Sequence, residues 1–135
     1  MPFYPCFLSA VFVVRNQSAS IEKTLTDAAA VIAAIVGDYE LIVVDNASDD
    51  DSISVLKRLT AENGLANIQV YALTKEVDAD TASWVGLENA LGDFVVVADP
   101  LADDISFAPK MLDQAVSGAD AVSYTHLTLP TIYSV

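Results

Sequence analysis

Arg15, Asn16 and Gln17 follow one run of apolar residues, and Asp45, Asn46, Ala47 and Ser48 follow a second. Lys75 and Glu76 follow a third, and the acidic stretch from Asp99 to Asp104 follows a fourth. These side chains suit recognition by hydrogen bonding. A carboxylate or amide at the end of an apolar run accepts from a ribose hydroxyl or a base N–H. Asp45 stands where the ribose-binding acid of a dinucleotide fold would stand. His126 is the only histidine and Cys6 the only cysteine, so no Cys/His cluster offers a zinc site. Cys6 reads as a small apolar residue entering a strand.

The elements that must position these groups alternate regularly. Phe7 to Val14 is a short, almost wholly apolar run, as expected of a strand buried on both faces. Ile21, Leu25, Ala28, Ala29, Ile32 and Ile35 recur at helical spacing, with Ser18 or Ser20 as cap, Glu22 in the first turn and Gly37 as stop. Tyr39 to Val44 is a second strand, followed by a helix on Ile53, Leu56 and Leu59 that ends at Asn63 and Gly64. Ile68 to Leu73 is a third strand, and Thr81 to Ala90 a helix closed by Gly92, with Trp84 expected as a packing residue. Phe94 to Val97 is a fourth strand; Phe107, Met111, Leu112 and Ala115 mark a further helix stopped by Gly118, and Ala119 to Val122 begins a fifth strand. Strands alternating with helices imply right-handed crossovers and a parallel sheet. In such open sheets ligands bind beyond the carboxyl ends of the strands, where the polar residues gather here.

The totals bound the partners. The chain has 135 residues, 53% of them apolar, which suits one domain with a genuine core. Nineteen acidic residues against six basic ones give a formal charge of −13. That charge repels phosphate backbones, so nucleic acid is excluded as an expected partner. An anionic ligand would need backbone N–H groups, helix N-termini or a bound cation. The mean hydropathy is positive, but the longest helical apolar run, Ala28 to Val36, falls well short of the roughly 20 residues a membrane span requires. A single cysteine fits a reducing compartment, and the expected location is cytoplasmic, with room for membrane association in a longer parent chain. Residues 123–135 carry no acidic or basic group. They resemble translated adapter sequence and are set apart from the domain, residues 1–122, as a non-native tail, with a genuine strand-turn-strand ending as the alternative.

Several common sites are missing from the loops. No G-x-G-x-x-G follows the first strand, there is no P-loop signature, and no acidic pair follows strand one as a phospho-receiver would need. Three segments, Leu8 to Gln17, Tyr39 to Ser52 and Gly86 to Asp99, together resemble the family 2 glycosyltransferases. Leu8 to Gln17 (LSAVFVVRNQ) is similar to their opening strand, V-S-V-V-I-P-x-Y-N-E. Tyr39 to Ser52 (YELIVVDNASDDDS) is similar to E-I-I-V-V-D-[DN]-x-S-x-D-[GD]-[ST]. Gly86 to Asp99 (GLENALGDFVVVAD) is similar to the run leading into the D-x-D metal site.

The resemblance, over Phe7 to about Val122, implies a Rossmann-like α/β sheet with flanking helices of the GT-A type, incomplete in this chain. It implies sugar transfer from a nucleotide-diphospho-sugar donor. Arg15, Asn16, Asp45, Asn46 and Asp99 then fall at nucleotide-binding positions. For Asp45 and Asn46, holding their own loop stands as the alternative role; Ser48 and Asp50 are expected to hold the loop and cap the next helix. Asp99 falls on the first acid of D-x-D, which helps hold Mg²⁺ or Mn²⁺ in the family, with Asp103 and Asp104 as weaker substitutes. The chain departs from the family where Leu101 replaces the second acid, Arg15 the tyrosine, Gln17 the glutamate, Ser83 a basic residue and Asp78 a glycine. Two other readings follow: a degenerate nucleotide-sugar-binding or regulatory domain, and an unrelated nucleotide-binding α/β protein using Asp45 on a ribose. With the catalytic acid expected downstream, the fragment itself is expected to be inactive.

Overall fold

The computed structural model describes residues 3–98, 112–113, 121–123 and 131–134. In chain order its elements are β1 (Tyr4–Val14), α1 (Ile21–Ile35), β2 (Val36–Asn46), α2 (Ser52–Leu59), β3 (Ile68–Leu73), α3 (Ala79–Asn89), β4 (Phe94–Ala98), β5 (Ala121–Ser123) and β6 (Thr131–Ser134). They build one sheet of order β3-β2-β1-β4-β6-β5. The first four strands are mutually parallel, with Val14 opposite Asp45, Asp45 opposite Ala72 and Phe12 opposite Ala98. The expected parallel α/β sheet with flanking helices is therefore present. β6 runs antiparallel to both β4 and β5, which makes the sheet mixed.

β1 and β2 are buried on both faces because helices cover both. Leu8, Ala10, Phe12 and Val14 of β1 and Leu41 and Val43 of β2 pack with α1, α2 and Leu112. Val11, Ile42 and Val95 face the other way, against Tyr71, Val97, Leu87 and Ala90. α1 buries Ile21, Leu25, Ala28, Ala29, Ile32 and Ile35, the residues its periodicity predicts. α3 lies close on β1 because Gly86 has no side chain: a Cβ there would come within 2.4 Å of Val11 Cγ1. Gly92 is equally confined, since its Cβ would sit 2.8 Å from the Phe7 carbonyl oxygen. Beside it, Asp93 exchanges two bonds with Phe7, its N–H to the carbonyl at 2.7 Å and its carboxylate from the Phe7 N–H at 3.0 Å.

Several expectations change. Gly37 does not stop α1: Val36 is already extended and donates to the Ile32 carbonyl, so the chain passes from helix into strand, with Gly37 inside β2. Ser20 occupies the N-cap of α1 without a side-chain bond; the Gln17 carbonyl instead accepts the Ser20 and Ile21 N–H groups. α2 ends at Leu59, and it buries Val55 while Ile53 is only half-buried. Trp84 is 61% exposed, because Ala82 and Gly86 are the α3 residues turned to the sheet. Of the expected fourth helix, Leu112 and Asp113 are helical and Leu112 is fully buried; Phe107, Met111, Ala115 and Gly118 lie outside the described residues.

Near the middle of β2 a polar cluster is sealed under α3. Glu40, 5% exposed, accepts from Ser9 Oγ at 2.6 Å, from the Leu91 N–H at 2.7 Å and from Gln69 Nε2 at 3.0 Å. Ser9 Oγ in turn accepts the Gly92 N–H, and the Tyr71 hydroxyl donates to Gln69. The carboxylate is buried without a cation, but three donors replace the water it lost.

Candidate functional site

The carboxyl ends of β1, β2 and β3 form one rim, and two loops are stitched together across it. Three successive N–H groups after β1 are taken by side chains after β2: Asn16 by Ser48 Oγ at 2.9 Å, Gln17 by Ser52 Oγ at 3.0 Å, and Ser18 by Asp50 Oδ2 at 3.1 Å. Asn16 Oδ1 returns the contact by accepting the Asp49 N–H at 2.7 Å. Asn16 and Ala47 both adopt positive φ, 54° and 55°. Such backbone costs of order 1 kcal/mol for a residue with a side chain, and the surrounding bonds hold it there. Asp50 also accepts the Ser52 N–H at 2.9 Å, at the start of α2. The hydrogen bonds from Ser52 and Ser18 outweigh desolvation and draw its carboxyl down from 3.8 to about 2.

Asp45 is 1% exposed and is turned onto its own loop. Its two oxygens accept from the Ser48 hydroxyl at 2.6 Å and the Ser48 N–H at 3.1 Å. Ser48 passes the contact on to Asn16, so Asp45 supports the rim from beneath. Asn46, 6% exposed, reaches the other way. Its Oδ1 accepts the Val77 N–H at 2.9 Å and its Nδ2 donates to the Val77 carbonyl at 2.7 Å. The side chain thereby acts as one more strand residue, pinning the β3–α3 loop; one N–H and one lone pair of the amide remain.

Arg15 carries a guanidinium at this rim. Its Nη2 lies 3.2 Å from Asp49 Oδ2 and 3.5 Å from Glu76 Oε1, so it spans the loops after β2 and β3. Its Nε is buried and has no hydrogen-bond partner. Of the residues expected to meet a nucleotide, Arg15, Asn16, Asp45 and Asn46 are brought together. Asp99, Asp103 and Asp104 lie outside the described residues, as do Pro100 and Leu101. β4 ends one residue earlier, at Ala98, on the same rim beside Phe12. Among the described residues no three His, Cys, Asp or Glu side chains group closely enough to hold a metal ion. The described part of the rim therefore does not by itself supply a cation site.

Sequence reasoning placed Glu76 at the rim but missed Ser52 and Val77. Ser52 was legible as one of the alternating Ser48, Asp50, Ser52 acceptors. Val77 left no signal, because it contributes only backbone atoms.

A parallel sheet with flanking helices and stitched polar loops at its carboxyl rim is an α/β domain of the Rossmann-like, GT-A kind. The chain belongs to glycosyl transferase family 2, whose model matches residues 9–128. It is 30% identical over 117 residues to the undecaprenyl-phosphate 4-deoxy-4-formamido-L-arabinose transferase of Pseudomonas fluorescens (strain SBW25), covering 86% of this chain and 34% of that protein. The enzyme of the same name from Aeromonas hydrophila is 28% identical over 116 residues, covering 85% of this chain and 35% of the relative. The chain thus spans about a third of the length of the curated relatives it matches.

Among solved structures, the mannosyltransferase PcManGT of Pyrobaculum calidifontis, in complex with GDP-Man and Mn²⁺, superposes with a TM-score of 0.78 at 18% identity, over 98% of this chain and 46% of that one. The glucosyl-3-phosphoglycerate synthase of Mycobacterium tuberculosis, with Mg²⁺ and UDP, gives 0.70 at 18% identity, over 96% of this chain and 56% of that one. At such identities the likeness establishes the fold. The family match removes the reading of an unrelated nucleotide-binding protein. No helix among the described residues is long and apolar enough to cross a membrane.

Proposed function

We propose that this chain is the donor-binding portion of an enzyme that moves a sugar from a nucleoside-diphospho-sugar to an acceptor. The observation that supports this reading is the gathering of Arg15, Asn16, Asp45 and Asn46 on one carboxyl rim of a family 2 domain. Arg15 and Asn46 offer the ligand a guanidinium and an amide, while Asp45 and Asn16 hold the loops that place them. Mg²⁺ or Mn²⁺ belongs to the proposal through Asp99, with Asp103 and Asp104 as weaker substitutes; a cation offsets the acidic character of the chain next to a diphosphate. The domain of the proposal is residues 1–122, with residues 123–135 a non-native tail. Backbone pairing of Thr131–Ser134 with β4 demands no particular side chains. Continuous coding sequence through residues 123–135 in the source DNA would remove the tail from the proposal.

Because the chain spans a third of its relatives, we assign the acceptor site and the catalytic base to sequence outside it, and take the fragment alone to be inactive. Titration calorimetry of the full-length protein with UDP-, GDP- and dTDP-sugars plus Mn²⁺ tests the reading. Binding of one of the three is expected, and silence from all of them sinks it.

A second reading, a binding domain that no longer turns over, is favoured by Asp78 and Ser83. Both are spent inside α3: Asp78 Oδ1 accepts the Thr81 N–H at 2.7 Å and Ser83 Oγ donates to the Ala79 carbonyl at 2.8 Å. It predicts donor binding without transfer.

A further inference from the structure

The two ligand-facing groups of the rim are held by two consecutive residues of one loop. Glu76 places a carboxylate on the Arg15 guanidinium, and Val77 places its N–H and C=O on the Asn46 amide. The chemistry of both contacts imitates a nucleotide. A carboxylate and a phosphate present the same kind of oxygen to an arginine fork. A peptide that offers a donor beside an acceptor matches an asparagine amide as the pairing edge of a nucleobase does. We propose that the β3–α3 loop is a displaceable plug of the donor site: a nucleoside diphosphate binds by replacing Glu76 on Arg15 and Val77 on Asn46. This rests on the donor-binding reading above and adds its regulation.

Three observations support displacement over a fixed wall. The Glu76 contact is loose, 3.5 Å long between side chains 35% and 60% exposed, a kind of pair that holds weakly. The loop leaves Arg15 Nε buried and unmet, so an incoming oxygen gains a donor that the loop does not use. A carboxylate left beside a diphosphate would repel it, and moving the loop away removes that charge. Asp45 bonds to Ser48 and Ser48 to the Asn16 N–H, independently of this loop, so the rim beneath keeps its stitching when Glu76 and Val77 leave.

The test uses the full-length protein, with UDP and GDP, each with Mn²⁺, as probes. Val77→Pro removes the N–H given to Asn46 without changing any charge. If a closed plug reduces apparent affinity by the fraction of open protein, Val77→Pro tightens binding of the nucleotide that binds by about three- to tenfold. Glu76→Gln tightens it by a smaller factor. Hydrogen exchange on the unaltered protein gives an answer that needs no variant to fold: the Val77 amide is protected alone and loses protection when nucleotide is added. Unchanged or weaker binding by both variants, with a Val77 amide that stays protected in the complex, overturns the plug while leaving the donor reading intact. If neither nucleotide binds the unaltered protein or the variants, the donor reading falls and the plug falls with it.

Discussion

Two acidic residues of β2 stand in opposite circumstances. Near the middle of the strand Glu40 is sealed beneath α3 and turned wholly inward, with donors from β1, β3 and the turn before β4. At the carboxyl end Asp45 is just as buried, but its bonds lead outward through Ser48 to the exposed Asn16. Next to it Asn46 and Arg15 hold a loop with capacity to spare. Burial of a carboxylate therefore does not distinguish a site from a strut. What distinguishes them is whether the hydrogen-bond chain closes on itself or ends at groups with unused donors.

The sharpest way to break that contrast is at the closed cluster. Glu40→Ala strands the Leu91 N–H, the Ser9 hydroxyl and the Gln69 amide in the interior. The expected loss of folding stability is about 4 kcal/mol, since each stranded buried donor costs roughly 1–3 kcal/mol. Urea unfolding of the full-length protein measures it, and nucleotide affinity of the folded fraction should not change. A fall in affinity at unchanged stability would mean that Glu40 belongs to the site after all.

At the rim, Ser48→Ala should cost less, about 1–2 kcal/mol, because water reaches the groups it releases. It should also weaken nucleotide binding, since Asn16 and Asp45 lose their common partner. Calorimetry beside the same unfolding experiment separates the two effects, and a purely stabilising role for Ser48 would leave the affinity untouched.

The smallest effect is in pH. Asp50 has its folded carboxyl drawn from 3.8 to about 2, so its contribution is present above about pH 4 and fades as pH falls through about 2. Asp50→Asn should flatten the stability profile between those values and leave it unaltered at neutral pH apart from a constant offset. A slope identical to that of the unaltered protein would show that other acids govern the window.

The alternation of strand and helix was legible because β1, β2 and β4 are buried on both faces and so read as continuous apolar runs, while α1 shows its buried stripe directly. Boundaries were less so: Gly37 looks like a helix stop, yet Val36 enters the strand without a left-handed residue. Trp84 reads as packing, but the glycine two residues on is what lets α3 approach β1. That glycine, with Gly92 and Asp93, gives the third motif a meaning in close approach between backbones. In the site, Ser48 and Asp50 were visible as loop-holding residues, whereas Ser52 and the occupation of Asn46 were not, the latter because Val77 answers it with atoms every residue possesses. Glu40 was visible only as the leading acid of the second motif, and its three donors come from segments distant in sequence.

The placement of β1 between β2 and β4 bears on how the molecule is made. Of the four parallel strands β1 is synthesised before its neighbours, so it can template β2, and β2 can template β3, along one flank before β4 is laid along the other. Each addition finds its template already synthesised, so this part of the sheet can grow by accretion during translation without any strand having to be inserted between two others.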